Sequence, residues 1–146
     1  MRILVQRSLE SSVSVNNKIV GKIEKGLVLF VGFTKDDNSD KIDYLINKVL
    51  NLRIFDDELG VMNKSILEVG GSILSISQFT LYADTKKGNR PSYIKALNGT
   101  EANNLYNEFN EKLKLKINVE AGIFGADMKV NITNDGPITI LLESRD

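Results

Sequence analysis

Apolar residues recur along the chain at two periods, and the switch between them marks out the elements. Ile3 and Val5 alternate with other residues as in a half-buried strand, which predicts a first strand over residues 2–8. Val13 and Val15 alternate with serines, and Asn16-Asn17 is a turn pair leading into residues 19–23, so a hairpin is expected there. Leu27 to Val31 is apolar without interruption, which suits a central strand covered on both faces. The period then lengthens. Ile42, Leu45, Ile46, Val49 and Leu50 follow the spacing i, i+3, i+4, i+7, i+8 and predict a helix with Ser39 as its N-cap. Gly70-Gly71 marks a turn before Ile73, Leu74 and Ile76, a second run fit for burial on both faces. Pro91 is placed to open a short helical piece over residues 92–97. A second full helix is expected after Thr100, read as its cap, with Ala102, Leu105, Tyr106, Phe109 and Leu113 on one face. Residues 119–124, 128–132 and 138–142 read as strands, with a turn at Asn134-Asp135-Gly136. The expectation is one domain over residues 1–146, of the α+β class. Six to eight strands would form a mixed, mostly antiparallel curved sheet or a partly closed β-barrel, with two main helices.

Bulk composition narrows the chemistry. A chain of 146 residues, 42% hydrophobic and 26% charged, is ordinary for a globular domain. A chain of that length buries about two thirds of its unfolded surface. Histidine and cysteine are both absent, which removes disulfides, thiolate nucleophiles, Ser-His-Asp machinery and zinc sites of the common types. Nineteen basic residues balance nineteen acidic ones, so no whole-molecule field draws in a polyanion, although a local patch meeting a few phosphates is compatible with this. The apolar stretch Ile3–Val5 is too short for a signal-peptide core. The longest apolar run, Leu27–Phe33, is far below the ~20 residues of a membrane-spanning helix, so a cytoplasmic protein without membrane contact is expected.

Candidate chemistry gathers where the run at Ile73–Ile76 passes into Ser77-Gln78-Phe79-Thr80. If the chain stays extended, the period of two sets Gln78 and Thr80 on one side and Ser77 and Phe79 on the other. A hydroxyl and an amide then emerge beside an aromatic wall, although such groups also serve merely to bond neighbouring backbone. Arg7 stands where the alternation calls for an apolar residue, either as a side chain reaching out to water or as part of a site. Lys86, Lys87 and Arg90 lie in a polar loop that is either an ordinary basic surface or a phosphate contact. Asp56, Asp57 and Glu58 are adjacent, but their spacing suits a solvated loop better than a divalent ion.

Four segments in order are similar to segments of the D-aminoacyl-tRNA deacylases, and together they span the chain. These are Ser77-Gln78-Phe79-Thr80-Leu81-Tyr82, Lys87-Gly88-Asn89-Arg90-Pro91-Ser92, Gly122-Ile123-Phe124-Gly125-Ala126-Asp127-Met128 and Asn134-Asp135-Gly136-Pro137-Ile138-Thr139. The resemblance implies hydrolysis of the ester between a D-amino acid and the terminal ribose of tRNA, and of glycine mischarged on tRNA-Ala; with no His or Cys and poor spacing in the acidic cluster, no metal and no cofactor are expected. It implies a catalytic set of Ser77, Gln78, Phe79 and Thr80. The amides around Phe79 and Thr80 would face the ester, Gln78 would hold the chain end, and the 2′-hydroxyl of the substrate's adenosine would assist. Thr80 is a nucleophile by residue type, yet no base stands beside it in sequence. Gly136-Pro137 resembles the family's Gly-cis-Pro element, whose carbonyls enter the other subunit's site and exclude L-amino acids. On the residues alone, a trans proline shaping the turn explains the pair as well. The resemblance further implies a homodimer with active sites at the interface. Arg7, Phe124, Met128 and Asn134 would touch substrate, and Lys86, Lys87 and Arg90 would meet tRNA phosphates. A reading of another class is a catalytically silent dimeric module that binds a small acyl or nucleotide ligand in the same groove, and a third is a plain interaction domain.

Overall fold

The computed structural model describes residues 1–144. Strand β1 (Arg2–Ser8) leads to the hairpin of β2 (Ser11–Val15) and β3 (Lys18–Ile23). Asn16 and Asn17 turn between them with φ of 50° and 64°, a left-handed conformation that asparagine enters more readily than most side chains. Next come β4 (Gly26–Gly32), α1 (Ser39–Asn51), a small hairpin of β5 (Phe55–Asp56) and β6 (Met62–Lys64), α2 (Ile66–Val69) and β7 (Ser72–Ser77). A 3-10 turn (Phe79–Tyr82), α3 (Gly99–Lys114), β8 (Val119–Ala121), β9 (Lys129–Asn131) and β10 (Asn134–Glu143) complete the described residues.

The main sheet has the order β10-β1-β4-β7-β8. β1 is antiparallel to both β10 and β4, whereas β4, β7 and β8 run parallel. Parallel neighbours need long crossovers. The chain supplies them with α1 and α2 between β4 and β7, and with α3 between β7 and β8. Helices α1 and α3 cover one face, where Ile3, Val5, Leu29, Ile42, Leu45, Phe109 and Leu113 form the larger core. A three-stranded sheet of order β3-β2-β9 lies over the other face, sealing Val13, Ile23, Val28, Leu74 and Ile76 into a second core. β4 and β7 are therefore buried on both sides, as their uninterrupted apolar runs require.

The α+β class stands, and the sheets are mixed, but the barrel alternative does not hold. Neither sheet closes among the described residues, because β10 and β8 are separate edges of one sheet. Among the described residues ten strands replace the expected six to eight, since β5, β6, β8 and β9 have only two or three residues each and are too short to show a period. Helix starts shift as well. Asn38, not Ser39, caps α1 by accepting from Lys41 N at 3.1 Å, and Asn98, not Thr100, caps α3 by accepting from Glu101 N at 3.0 Å. In both cases an asparagine just upstream offers the same acceptor as the hydroxyl. On α3 the buried face includes Asn110, while Leu105 is only half-buried. The helical piece after Pro91 is absent. Instead Ser92 and Asp84 exchange backbone hydrogen bonds, and Ala96 bridges to Thr34, so tertiary pairing claims the backbone groups that a helix would use.

One charged group holds a corner of this fold. The Asp37 side chain is 0% exposed, accepts from the Met1 ammonium at 2.8 Å and from Thr34 N at 2.7 Å, and has Lys41 Nζ at 3.7 Å. Burial pushes the Met1 ammonium below its ordinary pKa of 8.0, with Asp37 opposing the shift. Removing one partner of a buried pair strands the other. Asp37→Ala is expected to cost about 3 kcal/mol. At roughly 2–4 °C per kcal/mol for a domain of this size, thermal melts followed by circular dichroism should show a Tm about 6–12 °C lower.

Candidate active site

The two buried parallel strands end at the same edge of the sheet, with Val31 of β4 beside Ser77 of β7. Gln78 N still donates to Val31 O at 2.7 Å, and there the ladder stops. The chain does not stay extended. Gln78, at φ −147° and ψ 85°, turns it into the 3-10 segment, closed by Leu81 N to Gln78 O at 3.3 Å and Ala83 N to Thr80 O at 3.0 Å. The strand alternation of Ser77 to Thr80 is thus replaced by a turn. Its leading amides, Phe79 N and Thr80 N, have no acceptor among the described residues, as expected where a helical turn begins. Gln78 Nε2 donates to Thr80 Oγ1 at 2.6 Å, which ties amide and hydroxyl together across the turn.

This turn forms one lip of a cavity of about 450 Å³. Ser77, Gln78 and Phe79 line it with the end of β4, Gly32 and Phe33. Leu97, Ala102 and the loop from Phe124 to Met128 complete the wall. Phe124 is backed by Tyr106, with ring centroids 6.0 Å apart. Tyr106 is fixed in turn, donating from its hydroxyl to Ser75 O at 2.8 Å and accepting from Ser75 Oγ at 3.3 Å. Burial raises the Tyr106 pKa, so the phenol remains a donor. The cavity is apolar except at the turn, an arrangement that holds a ligand by shape and orients it by a few polar groups.

Arg7, Asn134, Gly136 and Pro137 assemble elsewhere. Pairing of β1 with β10 runs from Arg2↔Glu143 to Gln6↔Thr139 and resumes only at Ser8↔Asn134, so residues 135–138 bulge out opposite Arg7. The Gly136–Pro137 bond in this bulge is cis, and both residues are exposed. Gly136 has φ 121°, where an added Cβ would sit 2.8 Å from Ile138 Cγ1. Asn134 staples the bulge shut, its Nδ2 donating to Arg7 O and to Ile138 O, each at 3.0 Å, while its Oδ1 accepts from Thr139 Oγ1 at 3.2 Å. Arg7 is 8% exposed. It donates from Nη1 to Ile54 O at 2.9 Å, with Asp56 Oδ1 at 3.6 Å and Asp135 Oδ2 3.1 Å from its Nε. It neither reaches for water nor enters the cavity of its own chain.

Arg7 pairs with Leu27 at the start of β4, whereas Ser77 pairs with Val31 at its end. The bulge is three strand spacings across and four residues along from Ser77, roughly 20 Å away at the opposite corner of the sheet.

The other candidates are also accounted for. Lys86, Lys87 and Arg90 are exposed in a loop whose neck is the Asp84–Ser92 bridge. The three adjacent acids are each engaged inside the chain. Asp56 faces Arg7, Glu58 pairs with Lys64 at 2.6 Å, and Asp57 accepts from Val61 N and Leu59 N, which hold its carboxyl below the usual range. No group of three or more His, Cys, Asp or Glu is arranged to hold a metal among the described residues.

Residues 4–143 match the family of D-Tyr-tRNA(Tyr) deacylases. The chain belongs to that family. It is 55% identical over 146 residues to a D-aminoacyl-tRNA deacylase of Clostridium botulinum (strain 657 / Type Ba4), covering 99% of this chain and 98% of the relative. Among solved structures, a c-Myc DNA Unwinding Element Binding Protein superposes with a TM-score of 0.95 at 37% identity, covering 100% of both chains. A probable eukaryotic D-amino acid tRNA deacylase superposes with a TM-score of 0.83 over 97% of both chains at 18% identity, which speaks to the fold.

In this family member the sequence pattern missed the apolar half of the cavity: Gly32, Phe33, Leu97 and Ala102. A signal for the first two was present, because Gly32-Phe33 closes a run fit for a central strand, and ligands gather beyond the carboxyl ends of parallel strands. Gly32 also lets the turn after Ser77 come close. A Cβ there would lie 2.8 Å from Gln78 O and 3.2 Å from Leu81 Cβ. Gly32→Ala is expected to displace the turn, costing about 1–3 kcal/mol of stability. Hydrolysis of D-tyrosyl-tRNA by the folded fraction should fall by at least about tenfold, since small misplacement of reacting groups is costly. Melting curves and single-turnover rates check the two parts.

Proposed function

We propose that the chain is a D-aminoacyl-tRNA deacylase, active as a cytoplasmic homodimer on D-aminoacyl-tRNA and on glycyl-tRNA mischarged on tRNA-Ala. The observation that carries this reading is the cavity at the shared end of β4 and β7, whose lip is Ser77, Gln78 and Phe79; Thr80 follows just outside the lining, in a turn with two unspent amides. Those amides would meet the oxygen that becomes negative when water adds to the ester carbonyl. The proton of that water passes by way of the neighbouring 2′-hydroxyl to the leaving 3′-oxygen, giving free amino acid and intact tRNA. Phe124 and Met128 would enclose the aminoacyl group. The relatives, D-aminoacyl-tRNA deacylases among them, support the substrate class, and one similar protein is named for binding a DNA element, in keeping with a nucleic-acid partner. Lys86, Lys87 and Arg90 would meet its phosphates. No helix of the described residues is long and apolar enough to cross a membrane.

The separation of roughly 20 Å between the bulge and the turn supports the dimer. Within one chain Gly136–Pro137 cannot guard the cavity, so the guard would come from a second copy, its fixed carbonyls leaving room for the Cα hydrogen of a D-amino acid and clashing with an L side chain. Glycine, with no side chain, would pass. Arg7 and Asn134 then act by holding the guard rather than by touching substrate. Light scattering should give twice the chain mass at micromolar concentration; a monomer that still hydrolyses D-tyrosyl-tRNA and spares L-tyrosyl-tRNA would overturn this arrangement.

Thr80 has Gln78's carboxamide as its hydrogen-bonding neighbour, and a neutral amide is no base, so attack by the Thr80 hydroxyl is disfavoured. Thr80→Ala should therefore lower kcat for D-tyrosyl-tRNA by about tenfold or less, because the backbone amide stays in place. A collapse by several orders of magnitude would make Thr80 the nucleophile. Wild-type protein that binds aminoacyl-adenosine yet releases no amino acid would instead favour the silent binding module.

A further inference from the structure

Beside the cavity lip stands an aromatic pair whose rings the reaction does not use. Phe79 and Tyr93 stand edge to face, with centroids 5.0 Å apart at 67°, and remain 56% and 42% exposed. Two large rings packed together at the surface leave about half of their area in water, so the core does not explain them. An edge-to-face pair leaves at least one ring with both faces clear of the other. Tyr93 directly follows Ser92, which exchanges backbone hydrogen bonds with Asp84 at 2.8 and 2.9 Å and so closes the neck of the basic loop. Residues 84–95 carry Lys86, Lys87, Arg90 and Lys95 against the single carboxylate of Asp84, and that carboxylate lies 3.4 Å from Lys95. Lys87 and Arg90 make no ion pair among the described residues. A net-neutral protein thus concentrates unspent positive charge in one loop, and the neck of that loop adjoins the exposed rings through Ser92 and Tyr93. Stacking planes beside cations are the means by which proteins hold single-stranded nucleic acid.

We propose that Phe79 and Tyr93 form a stacking platform for the unpaired nucleotide preceding the esterified adenosine, with Lys87 and Arg90 taking its phosphate. This rests on the deacylase reading, which brings the terminal adenosine to the cavity and makes the next nucleotide emerge at its mouth. Tyr93 is then a binding residue that selects for an unpaired strand, without touching the reacting ester.

The test uses the full chain and a fluorescently labelled single-stranded oligoribonucleotide with the sequence of the unpaired 3′ end of tRNA. Tyr93→Ala should weaken its binding by roughly ten- to a hundredfold, and Tyr93→Trp should hold it. Lys87→Ala should flatten the slope of log affinity against log salt by about 0.7. On D-tyrosyl-tRNA, Tyr93→Ala should raise KM by a similar factor and leave kcat within about twofold. Unchanged oligonucleotide binding and unchanged KM in Tyr93→Ala would overturn the platform while the deacylase reading stood. A Tyr93→Ala protein that runs at half the wild-type mass would also overturn it, because a second copy would then be what covers the rings. If the wild type binds the oligonucleotide through Tyr93 but leaves D-tyrosyl-tRNA intact, the platform stands and the deacylase reading falls.

Discussion

The parallel pairing of β4 with β7 is the constraint on which the rest of the structure depends. Both strands are covered on both faces, so none of their backbone groups can turn to water, and each must be met within the sheet. Parallel strands also finish together, which puts Gly32 and Ser77 at one edge and leaves the chain to depart from both at once. The amide of Gln78 is the last to be paired, to Val31 O, and the next two amides are the first with nothing to bond. Reactive polarity appears where an over-determined ladder runs out. Even the polar Ser75 within β7 follows this rule, since Tyr106 satisfies both its hydroxyl and its carbonyl, and Tyr106 in turn backs the cavity wall at Phe124.

Charge is seldom buried, and where it is buried it holds geometry. Asp37 gathers the Met1 ammonium and a loop amide behind the helical face. Arg7 draws together Ile54 O from the segment before β5 and the carboxylates of Asp56 and Asp135, tying the small hairpin to the bulge. Buried ion pairs contribute little net stability compared with apolar packing, but they hold their partners in one arrangement. Here they fix one arrangement around a bulge whose outward residues are exposed.

Much of this was legible along the chain. The uninterrupted runs at Leu27–Val31 and Ile73–Ile76 declared strands buried on both faces, and the helical spacing from Ile42 to Leu50 is the buried face of α1. Ser77, Gln78, Phe79, Phe124 and Met128 do meet around one cavity. What failed were inferences of local continuity. Nothing in Gln78-Phe79-Thr80 forbids extension past Ser77, yet the turn is made by Gln78 O and Leu81 N, a bond that no side-chain pattern announces. The helix after Pro91 had the right residues, but Asp84 and Thr34 offered its backbone better partners from afar. Arg7 showed as a break in alternation without showing why, since its partners at residues 54, 56 and 135 come together only in the folded sheet.

The stapled bulge in β10 bears on how the chain can vary. In an ordinary strand one inserted residue turns every later side chain over, which here would swing Ile138, Ile140 and Leu142 out of the core. Asn134 instead clamps the two sides of the bulge together, and pairing restarts at Thr139 whatever lies between. Length and shape at residues 135–137 are thereby uncoupled from the register of the core strand behind them, as an expansion joint uncouples two spans of a bridge. Selection can remodel this exposed tip without renegotiating the hydrophobic interior.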